Sequence, residues 1–215
     1  MLDEYFLPSF PKDDRLVLKT VEVPQLAGDK PEFNSSKWKE FMFLKAKFLW
    51  DELLAIPEGD IYGFLDVDII TVNNFYDYVM RYMENVDFVA QSDSPTPMFL
   101  NCCTGILFFR NNDNCRNLLR ATYEYLGKLP FKNEQEAFTY FVQNRTHFEE
   151  LRGLNYRLFP FEKAWTYGSI AGRIWNNNDF DFKIPDKKEL LWLHANWCQH
   201  ENKENLLNLF RQKLS

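Results

Sequence analysis

Two carboxylates two positions apart, Asp66 and Asp68, follow the apolar run Ile61 to Leu65 (Ile-Tyr-Gly-Phe-Leu). If strand geometry holds through Asp68, both side chains point to the same side, because residues i and i+2 of a strand share a face. Two anions held that close repel, which raises one pKa unless a cation lies between them. A hard divalent ion with oxygen ligands, Mn²⁺ or Mg²⁺, is the simplest resolution. A second apolar run, Leu190 to Leu193, ends in the same manner on His194. Neutral imidazole suits Mn²⁺ as a third ligand beside two carboxylates. The plainer reading makes Asp66 and Asp68 solvated or helix-capping groups at a strand-end turn, and His194 a structural histidine. His147 and His200 lie at helix ends without a preceding buried run.

Such residues need a scaffold that brings strand ends together. A continuous apolar run reads as a central strand covered on both faces, as in parallel sheets of α/β proteins. In open α/β sheets ligands bind beyond the carboxyl ends of the strands, where Asp66 and Asp68 fall. Before that strand, Ser35 or Ser36 caps a predicted helix to about Ala55, with a stripe of Trp38, Phe41, Met42, Phe48 and Leu49. By period Lys45 belongs to that stripe, either snorkelling to its edge or reaching an anion at the strand ends. Further strands are predicted over Leu16 to Val23, Asp87 to Gln91, Ile106 to Arg110, Asn155 to Phe159 and Trp165 to Tyr167. Helices are predicted over Met1 to Phe10, from Asn73 or Asn74 to Met83, Asn112 to Gly127, Glu134 to Arg145, and His200 to Leu214. Ser92 to Pro97 reads as a polar loop, and Gly168 to Asp186 as a long one of the kind that often forms a lid. The alternation of strand and helix predicts an α/β fold with a central, mostly parallel mixed β-sheet flanked by α-helices.

The totals set bounds. The chain has 215 residues and a net charge of −6, enough for one substantial core and too acidic for nucleic acid as main partner. Aromatic residues are abundant, with 21 Phe, 10 Tyr and 6 Trp, while the 8 Gly exclude a low-complexity chain. Cys102, Cys103, Cys115 and Cys198 form no C-x-x-C pair. Buried free thiols in a reducing compartment are therefore expected. No signal peptide and no membrane span are expected either, so Asn34-Ser35-Ser36 and Asn144-Arg145-Thr146 read as chance matches to the glycosylation pattern.

Taken in order, these pieces resemble the GT-A glycosyltransferases of the nucleotide-diphospho-sugar transferase group. The resemblance is carried by Trp38 and Lys45, then Phe64-Leu65-Asp66-Val67-Asp68, then Asp87 to Asp93, and then Asn101 to Gly105 with Phe108-Phe109-Arg110. Asn133-Glu134-Gln135 and Leu193-His194-Ala195-Asn196 complete it, so it covers about residues 36 to 197. The chain also resembles the cytosolic members of that group found in large algal viruses.

The resemblance implies one GT-A domain over residues 1–215, alone or as a module of a longer protein. It implies a UDP-linked sugar donor bound through Mn²⁺ or Mg²⁺, a glycan, glycoprotein or other hydroxyl acceptor, and a cytoplasmic location, the host cytoplasm for a viral protein. Asp66, Asp68 and His194 would be the metal ligands, with Asp66 also near ribose or donor sugar. Lys45, Asn101 and Asn196 would bind the donor, and Glu134, Asp93 and Gln135 would be the catalytic candidates. Relatives with this late histidine mostly retain anomeric configuration. The chain departs from the family pattern at its start, where nothing strand-like precedes Leu16 to hold a nucleobase. Two rival readings are a haloacid-dehalogenase-type phosphatase and a non-catalytic sugar-binding module. The first requires Thr or Val four residues after the first aspartate, where this chain has Ile70.

Overall fold

The computed structural model describes residues 1–22, 36–93, 100–167, 183–196 and 200–215. Most of Ser92 to Pro97, most of Gly168 to Asp186, and Cys198 lie outside them. Helix α1 (Ser36–Ala55) runs as predicted. Its inner face is Met42, Ala46, Leu49 and Leu53, all buried, at the spacing of one helical stripe. Phe41 is 40% exposed, not part of that stripe, because it lies about 100° around the helix from Met42. Phe48 lies at the stripe's edge, its ring 6.4 Å from that of Phe64.

The next strand is shorter than expected. β1 (Ile61–Leu65) stops before the aspartates, and β2 (Ile69–Thr71) starts after them. β1 pairs with β4 (Cys102–Arg110), whereas β2 pairs with β7 (Trp192–His194) in a separate sheet. Asp66, Val67 and Asp68 are the step by which the chain leaves one sheet for the other. The expected i, i+2 strand geometry is thus absent there.

The larger sheet has the order β1-β4-β3-β5, with β3 (Phe88–Ser92) and β5 (Tyr156–Leu158); the smaller is β2-β7-β6, with β6 (Ala164–Thr166). Both mixed sheets are flanked by helices, as the α/β reading requires. The balance within them differs from a mostly parallel sheet. The pairs β1/β4, β3/β4 and β2/β7 are antiparallel, and among the described residues only β3/β5 and β6/β7 are parallel. Ile61 to Leu65, expected as a central strand covered on both faces, stands at the edge of its sheet and is only partly buried; burial on both faces belongs to β3 and β4, and is met there without parallel pairing. Phe88, Leu107 and Phe109 face a core made with Leu49 and Leu53 of α1, Leu118 of α3 (Asp113–Leu126) and Phe138 of α4 (Glu134–Gln143). Their neighbours Val89, Ile106 and Phe108 face a second core with Phe75, Val79 of α2 (Tyr76–Tyr82), Phe159 and Trp192. β4 begins at Cys102, so Asn101 to Gly105, expected to precede the strand, mostly belongs to it. Helix α5 (His200–Leu214) covers the smaller sheet, packing Leu206, Leu207 and Phe210 against Ile70, Trp165 and Leu193.

The predicted strand Leu16 to Val23 is not formed over residues 16–22, and Val23 lies outside the described residues. Val17 is 96% exposed. β-branched residues favour strands by packing against neighbouring strands, and none pairs here. The helix expected from Asn73 or Asn74 starts at Tyr76, whose N–H donates to the Asn74 side chain at 3.0 Å. Asn112 and Asn133 cap α3 and α4, accepting from Cys115 N at 3.0 Å and Glu136 N at 2.7 Å, the usual satisfaction of first-turn donors. The second cap fixes where Glu134 and Gln135 emerge. Cys102, Cys103 and Cys115 are buried and free.

Candidate active site

The step between the sheets is held by its backbone. Asp66 N–H donates to the Gly105 carbonyl at 2.8 Å, and Ala195 N–H donates to the Asp68 carbonyl at 3.0 Å. His194 closes β7, opposite Ile69 on one side and Thr166 on the other. Ligand atoms of Asp66, Asp68 and His194 consequently lie within 4.8 Å of one another, although nearly 130 positions separate Asp66 from His194 in the chain.

Each carboxylate has its own ammonium. Lys45 Nζ lies 3.1 Å and 3.2 Å from the two oxygens of Asp66, and 3.3 Å from Glu134 Oε1. The stripe lysine of α1 therefore reaches an anion at the strand ends. Burial works against its charge, but Asp66 and Glu134 outweigh that and hold its pKa above the ordinary lysine value. Lys203 of α5 places Nζ 2.6 Å from Asp68 Oδ2. Burial would push the Asp68 carboxyl upward; the Lys203 ammonium prevails and holds it well below the usual carboxylate range.

His194 is oriented from behind. Gln91 donates its Nε2 to the Ala164 carbonyl at 3.0 Å, which turns its Oε1 to His194 Nδ1 at 2.7 Å. That network assigns the imidazole proton to Nδ1 and leaves Nε2 facing Asp68 Oδ1 at 3.3 Å. A neutral Nε2 and a carboxylate oxygen both present lone pairs, so the contact calls for a cation. Asp68 Oδ1 is indeed a buried oxygen without a hydrogen-bond partner among the described residues. Gly105 keeps the space open. A β-carbon there would overlap the His194 ring and stand 2.8 Å from Asp66 Oδ2. Two carboxylates, an imidazole nitrogen, an orphaned oxygen and a glycine cradle fit a divalent ion of the Mn²⁺ or Mg²⁺ kind. The amide behind the imidazole is the outer support such ligands usually have.

A second polar group adjoins the first. Thr104 Oγ1 donates to Glu134 Oε1 at 2.8 Å, whereas Glu134 Oε2 is buried and has no hydrogen-bond partner among the described residues. Gln135 Nε2 donates to Asp93 Oδ2 at 2.6 Å and lies 3.3 Å from Asn101 Oδ1. Asn196 Nδ2 donates to Asp93 Oδ1 at 2.8 Å, and Thr166 hydrogen-bonds the Asn196 side chain. The residues singled out from the sequence thus form two linked sets, Lys45, Asp66, Asp68, His194 and Glu134 in one, and Asp93, Asn101, Gln135 and Asn196 in the other. Gln91, Thr104, Thr166 and Lys203 were not predicted to take part. Gln91 carried a readable signal, a polar residue in an apolar strand, and it is fully buried.

Among the described residues no helix is long and apolar enough to cross a membrane. A family model described as nucleotide-diphospho-sugar transferase matches residues 17–207. No curated protein sequence gives a significant match. A glycosyltransferase involved in glycosylation of the major capsid of PBCV-1 is similar in fold, with TM-score 0.52 and 12% identity over 84% of this chain and 81% of the other. The glycosyltransferase GlyE of Streptococcus pneumoniae TIGR4 aligns with TM-score 0.46 and 16% identity, covering 80% of this chain and 46% of that one.

Proposed function

This chain belongs to the nucleotide-diphospho-sugar transferase family, and on that premise we propose that it transfers a hexose from a UDP-linked donor to a hydroxyl of a glycan or glycoprotein, using Mn²⁺ and retaining anomeric configuration. The observation that carries the reading is the convergence of Asp66, Asp68 and His194 around the open face of Gly105. We take residues 1–215 as one catalytic domain, and the cytoplasm as its compartment.

Asp66, Asp68 and His194 Nε2 would hold the ion. When bound, the ion offsets charge that develops on the departing diphosphate, the kind of electrostatic stabilisation that usually dominates catalysis. Gln91 keeps the His194 proton on Nδ1, so Nε2 stays a ligand. Lys45 places one ammonium between Asp66 and Glu134 and so holds the two side chains together. The sugar acquires oxocarbenium character as its bond to phosphate breaks. Glu134 is the better placed carboxylate to stabilise it, since Oε2 is not engaged by a hydrogen-bond donor of the described residues. Both Asp93 oxygens already accept from Gln135 and Asn196, so Asp93 positions the donor sugar or acceptor, and Asn101 completes that wall. The phosphatase alternative is dropped, because the chain belongs to a different family.

The test is donor turnover. UDP-sugar hydrolysis or transfer that requires Mn²⁺ and stops in EDTA supports the reading. Mn²⁺-dependent donor binding without any turnover would make the chain a sugar-nucleotide-binding module instead.

A further inference from the structure

The two lysines stand to the site differently. Lys45 is shared between two carboxylates, whereas Lys203 presents its ammonium to Asp68, whose side chain is 9% exposed against 33% for Asp66. Lys203 occupies Asp68 Oδ2, while Oδ1 of the same carboxylate faces His194. It therefore sits on one of the groups an incoming ion must use.

We propose that Lys203 is an ammonium latch on the metal centre: it neutralises Asp68 when no divalent cation is bound, and cation and ammonium compete for that carboxylate. The latch rests on the metal-centre reading above. Asp66, Asp68 and Glu134 against Lys45 and Lys203 leave one net negative charge. A divalent ion entering with both ammoniums in place turns that into a positive excess, which repels at these distances. With Lys203 withdrawn the loaded cluster is neutral. Withdrawal is mechanically feasible. Lys203 lies in the first turn of α5, and the helix is anchored further along by Leu206, Leu207 and Phe210. Metal loading thus loosens the start of α5 and leaves its apolar stripe seated.

The experiment titrates Mn²⁺ into the nucleotide-free full chain by calorimetry, comparing wild type with Lys203→Met, Lys203→Arg and Asp68→Asn. Hydrogen exchange over residues 200–206 is followed with and without Mn²⁺. Circular dichroism checks folding, with Lys203→Gln read in place of the methionine variant if that one is misfolded. Expected are binding at least tenfold tighter in Lys203→Met, wild-type affinity in Lys203→Arg, none in Asp68→Asn, and faster exchange at residues 200–206 in wild type on adding Mn²⁺. Binding by Lys203→Met alone, with wild type silent, also supports the latch. If Lys203→Met binds no tighter than wild type while Asp68→Asn abolishes binding, the latch is wrong and the metal centre stands. If no variant binds Mn²⁺, both fall.

Discussion

The two halves of the site differ in how far apart in the chain their partners lie. On one side, Lys45 and Asp66 are 21 residues apart, on α1 and just past the strand that follows it. On the other, Asp68 meets His194 and Lys203, the latter 135 residues away. The near half is an ion cluster in which one largely buried lysine serves the partly exposed Asp66 and the buried Glu134. The far half is a carboxylate with an orphaned oxygen, an imidazole nitrogen facing it, and an ammonium at its other oxygen. Geometry of the first kind fixes Asp66 and Glu134 around one ammonium, and geometry of the second kind leaves a place for an ion.

Substitutions can break that contrast, the largest effect first. Asp68→Ala is expected to abolish Mn²⁺-dependent UDP binding measured by calorimetry; unchanged binding would remove Asp68 from the metal centre. Lys45→Met is expected to lower unfolding free energy by about 3 kcal/mol in urea denaturation, because removing one partner strands buried charge. Lys203→Met in EDTA is expected to cost less, about 2 kcal/mol, since Lys203 makes a single charge-assisted hydrogen bond where Lys45 serves two carboxylates. Equal losses would erase the distinction between the halves. Gly105→Ala is expected to cost about 2 kcal/mol, in the range of overpacked cores, and to weaken Mn²⁺ binding, because the methyl overlaps the His194 ring. Gln91→Leu is expected to weaken Mn²⁺ binding roughly tenfold through the imidazole it orients, with Asp68 and Lys203 left in place.

The same contrast marks what was legible in the sequence. Asp66, Asp68 and His194 could be read because each follows an apolar run, and Lys45 because helical period places it on the inner stripe. Lys203 could not be read that way. It is one cation among several on an amphipathic helix, and only the seating of Leu206, Leu207 and Phe210 turns it inward. The α/β class followed from the alternation of elements. The strand balance did not, because apolar runs report burial on two faces and say nothing about the direction of the neighbouring strand. The same limit explains Leu16 to Val23, where side-chain type favoured a strand and no neighbour pairs with residues 16–22.

The central claim is that one divalent ion sits between the two halves. Crystals soaked in Mn²⁺ and measured at the manganese absorption edge test it directly. The account predicts a single strong anomalous peak about 2.0–2.3 Å from an oxygen of Asp68, an oxygen of Asp66 and His194 Nε2, in the range of first-row metal–ligand distances. Manganese found elsewhere on the chain, with no peak between these three side chains, would contradict it.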